Sequence, residues 1–291
     1  MWKRIESLRR AGIEVTATRG RGYTLAQPLD LLQRQAILDA MPAQARKGVH
    51  SLEVLWSVDS TNSELLRRST SVVGASVLLA ERQTGGRGRR GRQWASPLAA
   101  NLYLSVARSF SGGLARLGGL GLVAGVAAGE ALHQAGFGQV QLKWPNDLVV
   151  AERKLGGLLV EGSGENAGPA RAVLGLGLNV RMPASAAAAI DQPWTELAAL
   201  PASTPSRNAL AAVLLAHLLP ALERFDVDGL APFLPRYARL DALRGRLVDV
   251  STHTGPMAGT CTGIAEDGAL CLDTVDGPRR FHAGETSVRA A

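Results

Sequence analysis

Residues 81–92 read Glu-Arg-Gln-Thr-Gly-Gly-Arg-Gly-Arg-Arg-Gly-Arg, and no apolar core can absorb them. Five arginines stand against one glutamate, so this segment alone carries +4 of a formal net charge of +7. Glycine at 85, 86, 88 and 91 lets the backbone approach a ligand, and arginine forks can take carboxylate or phosphate oxygens two at a time. Like charges and glycine's chain entropy predict a loop without fixed structure when empty. A nucleic-acid patch or a solvated basic face accounts for the segment equally well, so other motifs must decide. Gly86, Gly88 and Gly91 also spell G-x-G-x-x-G, but a dinucleotide fingerprint needs a helix directly after it and an acidic residue about 20 positions on. Here Pro97 and the strand-like run Asn101–Ala107 follow. A protein-kinase loop is excluded because the chain has neither H-R-D nor D-F-G.

The segments around this loop must supply the core. With 291 residues, 46 % of them hydrophobic, the chain is long enough for two domains. Aromatic residues make up only 4 %, which leaves packing to Ala, Leu and Val. From about 52 to 240, apolar strand-like runs (Val54–Val58, Ser76–Ala80, Leu102–Ala107, Val140–Trp144, Leu155–Glu161, Ala172–Val180) alternate with helical ones (Asn62–Ser69, Leu114–Gln134, Arg207–Phe225, Gly229–Leu240). Their irregular separation predicts an α+β fold, a mixed sheet with packed helices. The last fifty residues change to short runs (Arg246–Val250, Gly259–Ile264, Ala269–Leu272, Arg279–His282) broken by turn sequences, among them Asp267-Gly268 and Asp276-Gly277. That cadence predicts a small antiparallel barrel. At the other end, a helix over 2–11 capped by Gly12, then strands Ile13–Ala17 and Tyr23–Leu25, has the form of the last part of a winged helix. The helices that would precede it have no residues here. The expected units are 1–30, a helical connector with a linker at Pro42–Gly48 over 31–50, a main domain over 51–241, and the barrel over 242–291. Ala184–Ala189 is the one low-complexity stretch, expected as a surface loop or short helix.

Two cysteines, Cys261 and Cys271, have no metal-ligand spacing and are expected as thiols in a reducing cytosol. The start, Met1-Trp2-Lys3-Arg4, lacks a signal-peptide apolar stretch. The longest uncharged apolar run, Leu117–Gly129, falls short of the about 20 residues that span a bilayer. A cytoplasmic protein without a membrane partner is therefore expected.

Four further motifs carry polar chemistry. Asp59-Ser60-Thr61-Asn62 lies between a strand run and a helix run, where its hydroxyls and amide can cap the helix or bond a polar heterocycle. In Lys143-Trp144-Pro145-Asn146-Asp147 the proline forces a turn, and Asp147 can serve as a plain turn residue or as an oxygen ligand for Mg²⁺ accompanying phosphates. Lys154-Leu155-Gly156-Gly157 places a cation beside two glycines at a strand start. Gly175-Leu176-Gly177-Leu178-Asn179 puts small residues in an apolar strand with a polar tip. The chain offers no Ser/His/Asp or Cys/His arrangement, so nucleophilic side-chain catalysis is not expected.

Together and in this order, D-S-T-N at 59–62, G-R-G-R-R-G-R at 86–92, K-W-P-N-D at 143–147, K-L-G-G-L-L-V-E at 154–161 and G-L-G-L-N-V at 175–180 resemble the biotin–protein ligase family, above all its bifunctional ligase–repressors. The resemblance runs on to Glu285-Thr286-Ser287-Val288-Arg289 and covers nearly the whole chain. It implies a class II synthetase-like catalytic domain with an SH3-like C-terminal barrel. It implies ATP and biotin as substrates with Mg²⁺, and a biotin carboxyl carrier protein, the acetyl-CoA carboxylase subunit, as partner. Ser60, Thr61, Asn62 and Gln83 would then meet the ureido ring, with Gly86, Arg87, Gly88 and Arg89 folding over the acyl-adenylate. Lys154, beside Gly157, would contact the biotin carboxylate and forming acyl phosphate, so that Arg87, Arg89 and Lys154 carry the catalysis. Arg89, Arg92, Trp94, Lys143, Asn146, Asn179, Glu285 and Arg289 would serve ATP, and Asp147 the metal. A homodimer through the catalytic sheet is implied, whereas DNA recognition is not expected of an incomplete winged helix. A DNA-binding biotin-operon repressor and a lipoate or octanoyl ligase of related fold are the alternatives; the arginine loop followed by K-W-P-N-D argues against the second.

Overall fold

A computed structural model of the chain describes residues 2–26, 28–69, 73–164, 169–252, 255–283 and 287–290. The N-terminal unit is helix α1 (Trp2–Arg10) and the hairpin β1 (Val15–Thr18)–β2 (Gly22–Leu25). The main unit begins with α2 (Arg34–Ala40), α3 (Ala43–Lys47), β3 (Val49–Leu55), α4 (Thr61–Arg67), β4 (Ala75–Ala80), β5 (Leu102–Phe110) and α5 (Leu120–Gln134). It continues with β6 (Gln141–Lys143), β7 (Asp147–Val150), β8 (Arg153–Gly164), β9 (Ala170–Leu178), α6 (Ala184–Ala187), α7 (Arg207–Asp228) and α8 (Leu234–Leu240). Five strands close the chain: β10 (Leu247–Thr252), β11 (Gly255–Ile264), β12 (Leu270–Thr274), β13 (Gly277–Phe281) and β14 (Ser287–Ala290).

The expected mixed sheet has seven strands in the order β3-β4-β5-β9-β8-β7-β6, parallel between β3 and β4 and antiparallel elsewhere. Strand alternation gives it two unlike faces. Leu102, Leu104 and Val106 of β5 and Leu174, Leu176 and Leu178 of β9 pack into the main core with α5 and α7. Tyr103 and Ser105 of β5 and Gly175 and Gly177 of β9 therefore face the other way. α5 is apolar on nearly every side and buried along most of its length, which suits a helix enclosed by α7, α8 and the sheet.

Several elements depart from the sequence reading. The expected linker Pro42–Gly48 contains α3, whose Ala45 is buried against the fold. Strand Val54–Val58 lies earlier, at Val49–Leu55, because Leu52 points inward and Trp56 is left exposed. The helix expected over Leu114–Gln134 breaks into a short turn, Leu114–Leu117, and α5, since Gly119 adopts φ +85°. The helix expected from Gly229 likewise starts as a turn, Ala231–Phe233, before α8. β7 and β14 lack an apolar run long enough to announce them.

The connector is fastened by a buried ion pair. Arg207 Nη2 at the start of α7 lies 2.7 Å from Glu81 Oε2, both side chains 3 % exposed. Glu81 Oε1 accepts from Leu32 N at 2.6 Å, and Arg207 also donates to the carbonyls of Asp30 and Asn101. On the N-terminal unit, Ala11 and Ile13 pack with Leu98, whose N–H donates to Ala11 O at 2.9 Å.

The C-terminal strands form an antiparallel sheet, β13-β12-β11-β10-β14, the SH3-like unit expected. Gly268 (φ +85°) and Gly277 (φ +97°) supply its left-handed turn positions. Trp144 Nε1 donates to Gly268 O at 3.1 Å, which fixes the barrel beside the K-W-P-N-D turn.

Candidate active site

The glycine-lined face of the sheet, the arginine loop and the edge of the barrel enclose one cleft of about 1180 Å³. Ser60, Thr61, Asn62, Gln83, Arg87, Gly88, Arg89, Arg92, Trp94, Lys143, Asn146, Asp147, Lys154 and Gly157 all line it. These motifs, spread over a hundred residues of sequence, meet because α4 packs on β5 and β9 while Asn146, just before β7, accepts from Arg89 of the loop.

At one end lies a polar pocket. Ser60 caps α4 by accepting from Ser63 N at 3.4 Å, so the helix-cap reading of D-S-T-N is correct. The motif has a second use, since Ser60, Thr61 and Asn62 are buried yet border the cleft. Thr61 N donates to Gln83 Oε1 at 2.9 Å, and Thr61 Oγ1 lies 3.0 Å from the same oxygen. Asn62 Oδ1 accepts from Ser105 Oγ at 2.6 Å, and Asn62 Nδ2 donates to Glu161 Oε2 at 2.8 Å. A Cβ added at Gly175 would lie 2.4 Å from Asn62 Oδ1, so only glycine leaves that side chain in place.

At the other end, Lys154 Nζ lies 2.7 Å from Asp147 Oδ1 and 5.6 Å from the Trp94 ring centroid. Trp94 lies flat on β9, where a Cβ at Gly177 would come within 2.5 Å of its ring. Its buried Nε1 has no hydrogen-bond partner among the described residues, a donor that a ligand acceptor would satisfy. A Cβ at Gly157 would meet Lys154 Cε at 3.3 Å, so the glycine leaves room for the lysine. Asn146 Nδ2 donates to Leu158 O at 2.8 Å and its Oδ1 accepts from Arg89 at 3.2 Å.

The arginine loop is not the unstructured segment that its charge predicts. It folds as a small hairpin, Gly88 N donating to Arg92 O at 2.7 Å and Trp94 N to Gly86 O at 2.9 Å, around Arg90 in the left-handed region (φ 58°). Partners offset the mutual repulsion: Arg87 donates to Ser63 Oγ at 2.7 Å, and Arg89 reaches Asn146 and, in the barrel, Ala283 O. Burial lowers the Arg89 guanidinium from its usual value, neighbouring Arg90 adds to this, and Asp147 opposes it. A desolvated cation of this kind favours an anionic ligand.

Two expected site residues, Gly86 and Asn179, stand off the cleft lining. Gly86 is buried beneath the hairpin, where a Cβ would meet Ser96 Oγ at 2.8 Å. Asn179 is buried off the cleft, its Nδ2 donating to Thr195 O at 3.0 Å and Lys154 O at 3.5 Å. Glu285 lies outside the described residues. Of Arg289 only the backbone is described, paired with Asp249. Sequence reasoning gave no role to Ser105, Ser96 or Glu161. Strand alternation turns Ser105 and Glu161 to the glycine-lined face, whereas Ser96, in the loop before β5, carries no such signal.

The fit to Mg²⁺ can be judged from the donors. Among the described residues no group of three or more His, Cys, Asp or Glu side chains could hold a metal. One carboxylate, Asp147, beside cations suited to phosphate is the sparse protein contribution that Mg²⁺ takes when substrate phosphates complete its shell.

Comparison with known proteins agrees in both domains. Residues 54–179 match the biotin/lipoate A/B protein ligase family, and residues 245–289 match the biotin protein ligase C-terminal domain. The chain is 38 % identical over 289 residues to the bifunctional ligase/repressor BirA of Escherichia coli (strain K12), covering 99 % of this chain and 88 % of the relative. It is 35 % identical over 237 residues to the biotin–[acetyl-CoA-carboxylase] ligase of Mycobacterium tuberculosis, covering 79 % and 85 %. The solved structure of the Aquifex aeolicus biotin protein ligase with biotin and ATP superposes with a TM-score of 0.69 at 27 % identity, covering 83 % of this chain and all of that one.

Proposed function

From the premise that the chain belongs to the biotin/lipoate A/B protein ligase family, we propose that it activates biotin with ATP and transfers the biotinyl group to a lysine of a biotin carboxyl carrier domain. The observation that carries this reading is the cleft itself, with a polar heterocycle pocket at one end and a lysine–aspartate pair under an arginine loop at the other.

The chemistry asks for these parts. An oxygen of the biotin carboxylate attacks the α-phosphorus of ATP, and pyrophosphate leaves, giving biotinyl-5′-AMP. Two anions must be brought together, so cations placed where charge builds up are the main requirement. Lys154 is assigned to the carboxylate and the bridging acyl phosphate and Arg89 to the phosphate side, while Arg87, bonded to Ser63 Oγ at 2.7 Å, is assigned to closing the loop over the heterocycle pocket. Ser60, Thr61, Asn62 and Gln83 are assigned to the ureido ring, and Trp94 with Lys143, Asn146 and Arg92 to the nucleotide. Asp147 would hold Mg²⁺, which when bound offsets phosphate charge. In the second half-reaction a carrier lysine amine attacks the acyl carbon, loses its proton, and AMP departs. The hairpin of residues 86–94, lying over the cleft, would keep water from the mixed anhydride.

A homodimer through the catalytic sheet belongs to the same proposal. β7 covers β8 only as far as Gly157, so the later residues of β8 present an open edge suited to strand pairing. No helix among the described residues is long and apolar enough to cross a membrane, consistent with a proposed cytoplasmic site.

The deciding experiment is mass spectrometry of an apo carrier domain incubated with the protein and MgATP, with biotin and with lipoate in parallel. The expected result is one biotinyl addition in the first arm. An unmodified carrier, or modification by lipoate alone, overturns the proposal.

A further inference from the structure

Glu161 has no task in the reaction above and does not border the cleft. A carboxylate close to a site for anionic substrates weakens their binding unless cations or donors meet its charge. Here two groups do. Glu161 Oε2 accepts from Asn62 Nδ2 at 2.8 Å, and Oε1 lies 3.6 Å from Arg87 Nη2. Arg87 sits on the arginine loop and Asn62 on the first turn of α4, so one strand residue binds the loop to the pocket wall.

The contacts continue into a closed circuit. Asn62 Oδ1 accepts from Ser105 Oγ at 2.6 Å, which lies 2.7 Å from Thr61 Oγ1. Thr61 N in turn donates to Gln83 Oε1 at 2.9 Å, at the base of the same loop, which leaves the Thr61 hydroxyl proton for Ser105. An ionised carboxylate can only accept, so Glu161 fixes the Asn62 amide with its NH₂ toward β8 and its oxygen toward Ser105. That orientation directs the Ser105 proton to Asn62. The polarity of the pocket wall and the position of the loop thus share one origin.

We propose that Glu161 is a positioning residue that holds Arg87, and with it the arginine loop, onto the heterocycle end of the cleft. The ligand named here rests on the biotin-ligase reading; the contact does not. On this proposal the loop's closure depends on a charge outside the cleft, and the rate at which activated biotin escapes depends on that charge as well.

The test compares Glu161→Gln, Arg87→Met and the double variant. Gln keeps shape and an acceptor for Asn62 but lacks the charge that draws Arg87, and Arg87 is half exposed, so neither change opens the core. Two rates are measured: trypsin cleavage within residues 89–92 of the protein without ligands, and release of biotinyl adenylate made in place. Each single variant is expected to raise both by roughly two- to fivefold, with the double no faster than either. Wild-type rates in Glu161→Gln, or effects that multiply in the double variant, overturn the proposal. Cleavage rates also judge the contact in protein that makes no adenylate, so a failed ligase reading would be distinguished from a failed latch.

Discussion

Lys154 enters the cleft with its charge already matched, since Asp147 lies 2.7 Å from Nζ and the Trp94 ring covers its other side. It is held from behind as well: its N–H donates to Pro193 O, and its carbonyl accepts from Thr195 N at 2.8 Å. Asn179, expected at the nucleotide, braces that same segment. A cation held this firmly can serve a developing charge without rearrangement. Lys154→Ala is therefore expected to slow adenylate formation roughly 100-fold while changing ATP affinity far less, as read by pyrophosphate exchange against equilibrium nucleotide binding. A variant that exchanges at the wild-type rate would remove Lys154 from the mechanism.

Two junctions between elements set further expectations. The Arg207–Glu81 pair joins the connector, β4 and α7 inside the protein, where loss of one partner leaves the other charge buried alone. Arg207→Met is expected to cost about 3–5 kcal/mol in denaturant unfolding, whereas the exposed Arg246–Glu152 pair removed by Arg246→Ala should cost less than about 1 kcal/mol. At the end of α8, Asp241 Oδ1 accepts from Leu243 N at 2.9 Å while Oδ2 is buried without a partner among the described residues. Burial pushes its carboxyl above the usual range, despite the Leu243 bond and nearby Arg244. The folded state then binds the proton more tightly than the unfolded one, so stability falls as pH rises from the ordinary carboxylate value through the raised one. Asp241→Asn should accordingly raise the melting temperature at about pH 7.5, with the gain shrinking toward about pH 4.5. A gain that grows in acid would contradict this assignment.

Across the whole molecule, the barrel and the catalytic sheet share one apolar core. Val248, Val250, Leu270 and Leu272 of the barrel belong to the same cluster as Leu122 and Val126 of α5 and Leu142 of β6. Domains joined through a continuous core unfold together. Calorimetry is expected to give a single transition for sheet and barrel, and two resolved peaks would mean that the barrel is only loosely attached.

Locally encoded features were legible without coordinates. Ser60 as a helix cap, Gly12 and Gly268 at left-handed positions, and the alternating leucines of β5 and β9 follow from backbone sterics and side-chain period, which act within a few residues. The motif set identified the cleft residues because each placed its chemistry beside a strand or helix end. What neighbours along the chain cannot specify was settled by folding. Leu52 rather than Val58 anchors β3, Asn179 supports Lys154 from outside the cleft, and Glu161 lies between Asn62 and Arg87. Those outcomes depend on contacts between residues up to a hundred positions apart, and only packing in three dimensions fixes which distant groups share a dielectric, a proton or a charge.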